Sequence, residues 1–316
     1  MNSRIPDFND VCAAHERIKP FINRTPVMTS RSLNEITGAS LFFKCENFQR
    51  VGAFKYRGAT NAVLLLDPEK AIKGVATHSS GNHAAALALA AKINGLPAYI
   101  VMPENAPEIK KIAVKGYGAQ ITFCKPTLQA REEILQMVVE KTGAAFIHPF
   151  DNSNIVAGQG TAARELIMDF PDLDIVMAPV GGGGLLSGTS ISAKSMKPGI
   201  KVIAAEPEMA NDAFKSYYSD KLVPSLNPKT IADGLLTSLS DLTLSIIRKN
   251  VDEIITVREE TIIRAMRLVW ERMKIIIEPS SAVTLAVVLE NPEKFKNKKT
   301  GLIISGGNVD LNKLPF

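Results

Sequence analysis

The sequence predicts an α/β fold built as two parallel-sheet lobes, and three observations carry that prediction. Short apolar runs alternate with helix-like stretches of about ten to fifteen residues, the rhythm of parallel strands covered by helices on both faces. A length of 316 residues suggests about two domains. No linker rich in Gly, Pro or Ser separates independent halves, and no internal repeat is visible, so the lobes are expected to be intimately joined.

In chain order, residues 8–22 read as an amphipathic helix through Val11, Ala14, Ile18 and Phe21, broken at Thr25-Pro26. Residues 41–43 read as a strand and 61–66 as a helix. The regular βα rhythm then begins, with strand 74–77, helix 82–94, strand 98–102 closed by Pro103, helix 107–116, strand 121–124, helix 128–141, and strand 144–148 closed by Pro149. It resumes with helix 161–169, strand 174–180, helix 185–196 and strand 201–205. Strand 253–257, helices 259–274 and 280–289, and strand 301–304 complete it. The expected division is a small domain, 52–151, inserted into a large cofactor-binding domain made of 1–51 and 152–316.

Composition narrows the function. Apolar residues are 46%, charged residues 22% and the net charge +5, an ordinary soluble balance. Aromatics are only 6% and do not interleave with basic residues, which argues against nucleic acid. Cys12, Cys45 and Cys124 form no CxxC pair and suit a reducing compartment. His15, His78, His83 and His148 are scattered along the chain. MNSRIPDFND lacks the apolar core of a signal peptide and no apolar run approaches a membrane span, so a cytoplasmic protein without a membrane partner is expected.

The loops after strands carry the chemistry, since ligands in open α/β sheets bind beyond the carboxyl ends of strands. Lys55, in Gly52-Ala53-Phe54-Lys55, stands at a strand-to-helix junction beside an aromatic ring. Dehydration there would lower its pKa and make a nucleophilic amine, whereas a lysine in an ordinary surface turn would stay charged. Gly181-Gly182-Gly183-Gly184 enters a helix at Leu185, the composition of a phosphate cradle. It is not a Walker loop, because no Gly-Lys-Ser/Thr follows. It nearly fits GxGxxG, with Ser187 in the third position and Glu206 placed for a ribose, so a nicotinamide-dependent oxidoreductase is a rival reading. Ser79-Ser80-Gly81-Asn82-His83 offers hydroxyl and amide groups for a carboxylate, or a plain helix cap. Ser305-Gly306-Gly307-Asn308 lets a flat ring approach the backbone, or makes a turn. Glu206, Ala210 and Asp212 offer hard oxygen ligands for Mg²⁺, Mn²⁺ or Ca²⁺, or a solvated acidic turn. A lysine, a phosphate cradle, a carboxylate site and a ring slot together suit pyridoxal 5'-phosphate. A non-catalytic binding module would leave Lys55 without a task.

The motifs ENFQRVGAFKYRGA, SSGNHA, AGQGT, GGGGLLSG, TIADG, ERMKIIIEPSSAV and SGGNVDL run in order from about residue 20 to 311. They resemble the serine racemase and serine/threonine dehydratase family, including the hydroxyaspartate ammonia-lyases. The resemblance implies the tryptophan-synthase-β-like fold of pyridoxal phosphate enzymes, usually homodimeric. It implies that Lys55 carries the cofactor and takes the α-proton, with Phe54 on the ring, Asn82 at its 3-hydroxyl and Gly181, Gly182, Gly183, Gly184 and Leu185 at its phosphate. Ser305 would face the pyridine nitrogen. Ser80 would be the second acid/base on the opposite face, lining the carboxylate site with Ser79, Asn82 and His83. Glu206, Ala210 and Asp212 would hold a divalent cation. Ala84-Ala85 and Arg50-Val51 depart from the animal racemases at positions linked to nucleotide activation, which argues against regulation by ATP. The chain ends at Phe316, so isoleucine feedback through a regulatory domain is not expected. The activity implied is ammonia loss from L-threonine or L-serine, with serine racemisation or ammonia loss from 3-hydroxyaspartate as alternatives.

Overall fold

Helix α1 (Phe8–Ile18) opens the fold on a capping box, in which Asp7 and Asp10 each accept the other's backbone N–H. It stops short of its predicted end because Pro20 has no N–H to continue the ladder. The computed structural model describes residues 4–79, 81–106 and 108–316, so Pro107, the predicted start of a helix, and Ser80 lie outside the described residues.

Strand β1 (Val27–Met28), helix α2 (Arg31–Thr37) and strand β2 (Ser40–Cys45) lead to α3 (Lys55–Leu64) and the short α4 (Pro68–Ala71). Then follow β3 (Val75–His78), α5 (Asn82–Ile93), β4 (Ala98–Pro103), α6 (Glu108–Gly116), β5 (Gln120–Cys124), α7 (Leu128–Thr142) and β6 (Ala145–Phe146). The second half runs α8 (Ser153–Asp169), β7 (Ile175–Pro179), α9 (Gly184–Met196), β8 (Lys201–Pro207), α10 (Asp212–Tyr217) and α11 (Asp241–Asn250). It ends with β9 (Glu253–Val257), α12 (Glu259–Met273), α13 (Pro279–Glu290), α14 (Pro292–Phe295) and β10 (Lys299–Ile304).

Two sheets result, and the α/β class read from the sequence holds. A four-stranded sheet, ordered β5-β4-β3-β6, is parallel throughout. A six-stranded sheet, ordered β1-β2-β10-β7-β8-β9, is parallel apart from the antiparallel pair β1 and β2 at its edge. Every residue of β7 is buried, because helices cover both faces of the large sheet. Met177 points into a core shared with α12 and α13, while Val176 and Ala178 point into one shared with α8, α9 and α11. Among the described residues, no helix is long and apolar enough to cross a membrane.

Helix α3 lies where the two halves meet. Its Tyr56, Ala59 and Val63 pack with Ala84 and Leu87 of α5, while its opposite side meets α8 backbone to backbone. A Cβ on Gly158 would sit 2.6 Å from Gly58 Cα, and one on Gly188 of α9 would sit 2.4 Å from Gly160 N. Glycine costs an α-helix about 1 kcal/mol relative to alanine. Here it is what allows α3, α8 and α9 to touch. Beside that crossing, Arg57 bonds Glu46 at 2.7 and 2.9 Å and Glu165 at 2.8 and 2.9 Å, and Lys44 reaches Glu165 at 2.6 Å. All four side chains are buried, two cations against two anions.

Candidate active site

The chain entering α3 is stitched to the loop leaving β10. Phe54 N–H donates to the Ser305 carbonyl at 2.9 Å, Gly307 N–H donates to the Gly52 carbonyl at 2.9 Å, and Ala53 pairs with Gly306. These bonds fix Lys55 as the first residue of α3. The sequence reading began this helix at Asn61; α3 instead begins on the lysine itself. Lys55 Nζ donates to the Pro149 carbonyl at 3.0 Å and lies 5.2 Å from the centre of the Phe54 ring. Burial lowers its pKa to about 8, since a carbonyl and a ring replace water poorly around an ammonium. It therefore offers a neutral amine near neutral pH far more readily than a surface lysine does.

Beyond β7, Gly183 turns at φ +86° and α9 begins at Gly184 with no side chain capping its first turn. The free N–H groups there form a ready anion cradle at the positive end of the helix. The loop has no room for side chains. A Cβ on Gly182 would lie 2.2 Å from the Phe150 ring, and one on Gly183 would lie 2.7 Å from Leu239. Leu185 buries its side chain in the core, so only its backbone is available to a ligand. The segment 149–150 thus touches both the lysine, through the Pro149 carbonyl, and the cradle, through the Phe150 ring.

A polar wall connects the halves. Asn82 donates to both oxygens of Glu278, at 2.9 and 3.2 Å, and its Oδ1 accepts from Asn308 at 2.9 Å. Asn308 also donates to the Val51 carbonyl at 2.7 Å, which fixes its amide and, through it, the orientation of Asn82. One hydrogen of the Asn82 amide remains for a ligand oxygen. Burial, reinforced by Asp233, raises Glu278 to about 7. Ser305 is buried, and its hydroxyl has one described partner, Ser281 Oγ at 3.0 Å.

The Ser79 hydroxyl accepts from Gly81 N–H at 3.3 Å, and Ser80 lies outside the described residues. His83 turns its ring toward the Ile147 carbonyl, 3.2 Å from Nε2, and its buried Nδ1 has no described partner. Burial keeps it neutral, well below its ordinary pKa. Three histidines scattered in sequence converge here. His78 and His148 have ring centres 6.2 Å apart, and both are lowered to about 4, chiefly by burial. The readable signal was their position, because His78 ends β3 and His148 follows β6, its neighbour in the small sheet. Glu278, Ser281 and Asn308 were missed as functional residues. Their motifs were visible, but only folding brings them against Asn82 and Ser305.

Glu206 and Asp212 lie apart from this cleft in role. Glu206 is buried and accepts from Ala213 and Phe214 N–H, each at 2.8 Å, which takes one lone pair on each oxygen and leaves one on each. Buried Asp212 Oδ2 has no described partner. Burial raises Glu206 to about 8 and Asp212 to about 6. Among the described residues no three His, Cys, Asp or Glu side chains gather as a metal cluster. A cation here would need backbone oxygen such as that of Ala210, and water, to complete its shell.

A dehydrated amine, an uncapped glycine cradle, an oriented amide and a half-used hydroxyl fit an aldehyde-bearing phosphorylated ring. The comparisons agree. The family model described as pyridoxal-phosphate dependent enzyme matches residues 18–306. The chain is 53% identical over 312 residues to the beta-hydroxyaspartate dehydratase of Paracoccus denitrificans (strain Pd 1222), covering 99% of each. The crystal structure of serine racemase from Dictyostelium discoideum superposes with TM-score 0.93 at 52% identity, covering 98% of this chain and 100% of that one. The T.th. threonine deaminase superposes with TM-score 0.93 at 41% identity, covering 97% of this chain and 99% of that one.

Proposed function

This chain belongs to the pyridoxal-phosphate dependent enzyme family, and we propose that within it the protein is an ammonia-lyase acting on β-hydroxy-α-amino acids, L-threonine and L-serine first. With the family established, the nicotinamide reading falls away. The observation that carries the proposal is Lys55, an amine lowered to about 8 at the head of α3 and stitched to the ring slot at Ser305. When bound, pyridoxal phosphate supplies an electron sink for the charge left at the substrate's α-carbon.

In this reading Lys55 would hold the cofactor through its aldehyde and, once the substrate amine takes that place, would serve as the base at the substrate's α-carbon. Loss of the α-proton and of the β-hydroxyl, as water, leaves an enamine that hydrolyses to a 2-oxo acid and ammonia. Gly181, Gly182, Gly183, Gly184 and Leu185 would hold the phosphate through backbone N–H groups, and Phe54 and Ser305 would bound the ring. Asn82 would offer its remaining N–H to the ring's 3-oxygen. Ser79, Asn82 and His83 line the substrate carboxylate site. Neutral His83, His78 and His148 do not compete with Lys55 for protons near pH 7, which supports a single base on that face. We assign Ser80 as the opposite-face acid, required for serine racemisation. We further propose a homodimer, with a divalent cation at Glu206, Ala210 and Asp212.

A second reading, elimination from 3-hydroxyaspartate, is favoured by the beta-hydroxyaspartate dehydratase relative. Turnover of L-serine, D-serine, L-threonine and 3-hydroxyaspartate, scored for 2-oxo acid and for the opposite enantiomer, separates these readings. Lys55→Ala is expected to abolish the yellow absorbance and every activity in that panel; retention of both would sink the proposal.

A further inference from the structure

We propose that Ser281 is a positioning residue for the cofactor's ring nitrogen, its hydroxyl rotor deciding whether Ser305 meets that nitrogen as donor or as acceptor. This rests on the reading in which Ser305 faces the pyridine nitrogen.

Ser281 stands in the first turn of α13, fully buried, with Oγ 3.0 Å from Ser305 Oγ. It is also 2.7 Å from Gly306 N, which donates to it, and 2.7 Å from the Gly306 carbonyl oxygen. A hydroxyl has one proton and two lone pairs. The Gly306 N–H occupies one lone pair, leaving one proton and one lone pair for two neighbours.

The Ser281 proton has two destinations. Turned to the Gly306 carbonyl, it leaves a lone pair that takes the Ser305 proton. Ser305 then shows the ring nitrogen only lone pairs, which suit a protonated ring. Turned to Ser305 Oγ, the Ser281 proton frees the Ser305 proton for donation to an unprotonated nitrogen. Neither state strands the Gly306 carbonyl, because Glu278 N–H donates to it at 3.1 Å in both. No heavy atom moves between them. Paired with Ser281, the neutral hydroxyl of Ser305 therefore follows the ring's protonation. Alanine at 281 removes the one described acceptor for the Ser305 proton, so Ser305 must donate, and the unprotonated ring is favoured.

The test uses holoenzyme reconstituted with cofactor labelled with ¹⁵N in the ring, reading its ¹⁵N resonance against pH. Ser281→Ala is expected to lower the proton affinity of the ring nitrogen about tenfold, the net worth of one hydrogen bond. Ser281→Thr keeps the hydroxyl and is expected to titrate as wild type. Should the alanine variant fail to fold, Ser281→Cys, a weak hydrogen bonder of similar size, is expected to show the same downward shift. In a Ser305→Ala background, a change at 281 is expected to move nothing further. A wild-type titration in both Ser281→Ala and Ser281→Cys, with the ¹⁵N end-point shifts changed in Ser305→Ala, overturns the proposal and leaves the assignment of Ser305 standing. End-point shifts unchanged in Ser305→Ala at both low and high pH overturn both.

Discussion

Lys55 shows how far a residue can be read alone. Its neighbours in sequence were compatible with an ordinary surface turn; the folded chain supplies the Pro149 carbonyl and the Phe54 ring that dehydrate it. The pKa shift has a direct consequence. A lysine amine is nucleophilic only when neutral, and lowering the pKa from 10.5 to about 8 brings that form into reach. In cofactor-free protein, borohydride trapping of pyridoxal phosphate at Lys55, counted by mass spectrometry, should reach half its maximal rate near pH 8. A midpoint near 10.5 would mean a fully hydrated lysine. Glu278 was illegible for the opposite reason. An acidic residue before a proline reads as an exposed helix start, and nothing local announces that Asn82, far away in sequence, will cover it.

At the scale of elements, nine of the ten described strands were legible to within two residues at each end, and the two-residue β1 was not read. Strand β9 is placed at 253–257 in both readings. Helix α8 was not. It begins at Ser153, not at Thr161, and its Gly158 and Gly160 are contact points with α3 and α9. The short α10 and the helix α11 were missed, α10 because its start is organised by Glu206 accepting its first N–H groups. That arrangement makes a pH prediction. Glu206 and Asp212 hold protons more tightly folded than unfolded, so their effect lowers stability as pH rises from about 4 through about 6 and about 8. A cation seated on them removes that cost. The rise in Tm on adding Mg²⁺ or Mn²⁺ is therefore expected to be larger at about pH 8 than at about pH 5. An equal rise at both would exclude this pair as the binding site.

For the whole molecule, the buried cluster of Lys44, Glu46, Arg57 and Glu165 ties β2, α3 and α8 together, and composition gave no hint of it. Burial works to raise Glu165, but Arg57 and Lys44 outweigh it and hold the group down to about 2. Its contribution is thus present above its unfolded value of 4.5 and is lost as pH falls toward about 2. Arg57→Met leaves two carboxylates with too little positive charge and should cost about 3–5 kcal/mol in urea unfolding. A loss below about 1 kcal/mol would mean the site hydrates freely. Two parallel sheets were readable from rhythm alone; their joint was not, because it is made of glycines and of charges distant in sequence. That joint has a consequence for the cofactor. The lysine and the cradle stand on α3 and α9, and α8 meets both at glycines that bring backbone against backbone. The gap between the two grips is therefore a gauge cut in peptide rather than in side chains, insensitive to the rotamer changes that retune most pockets.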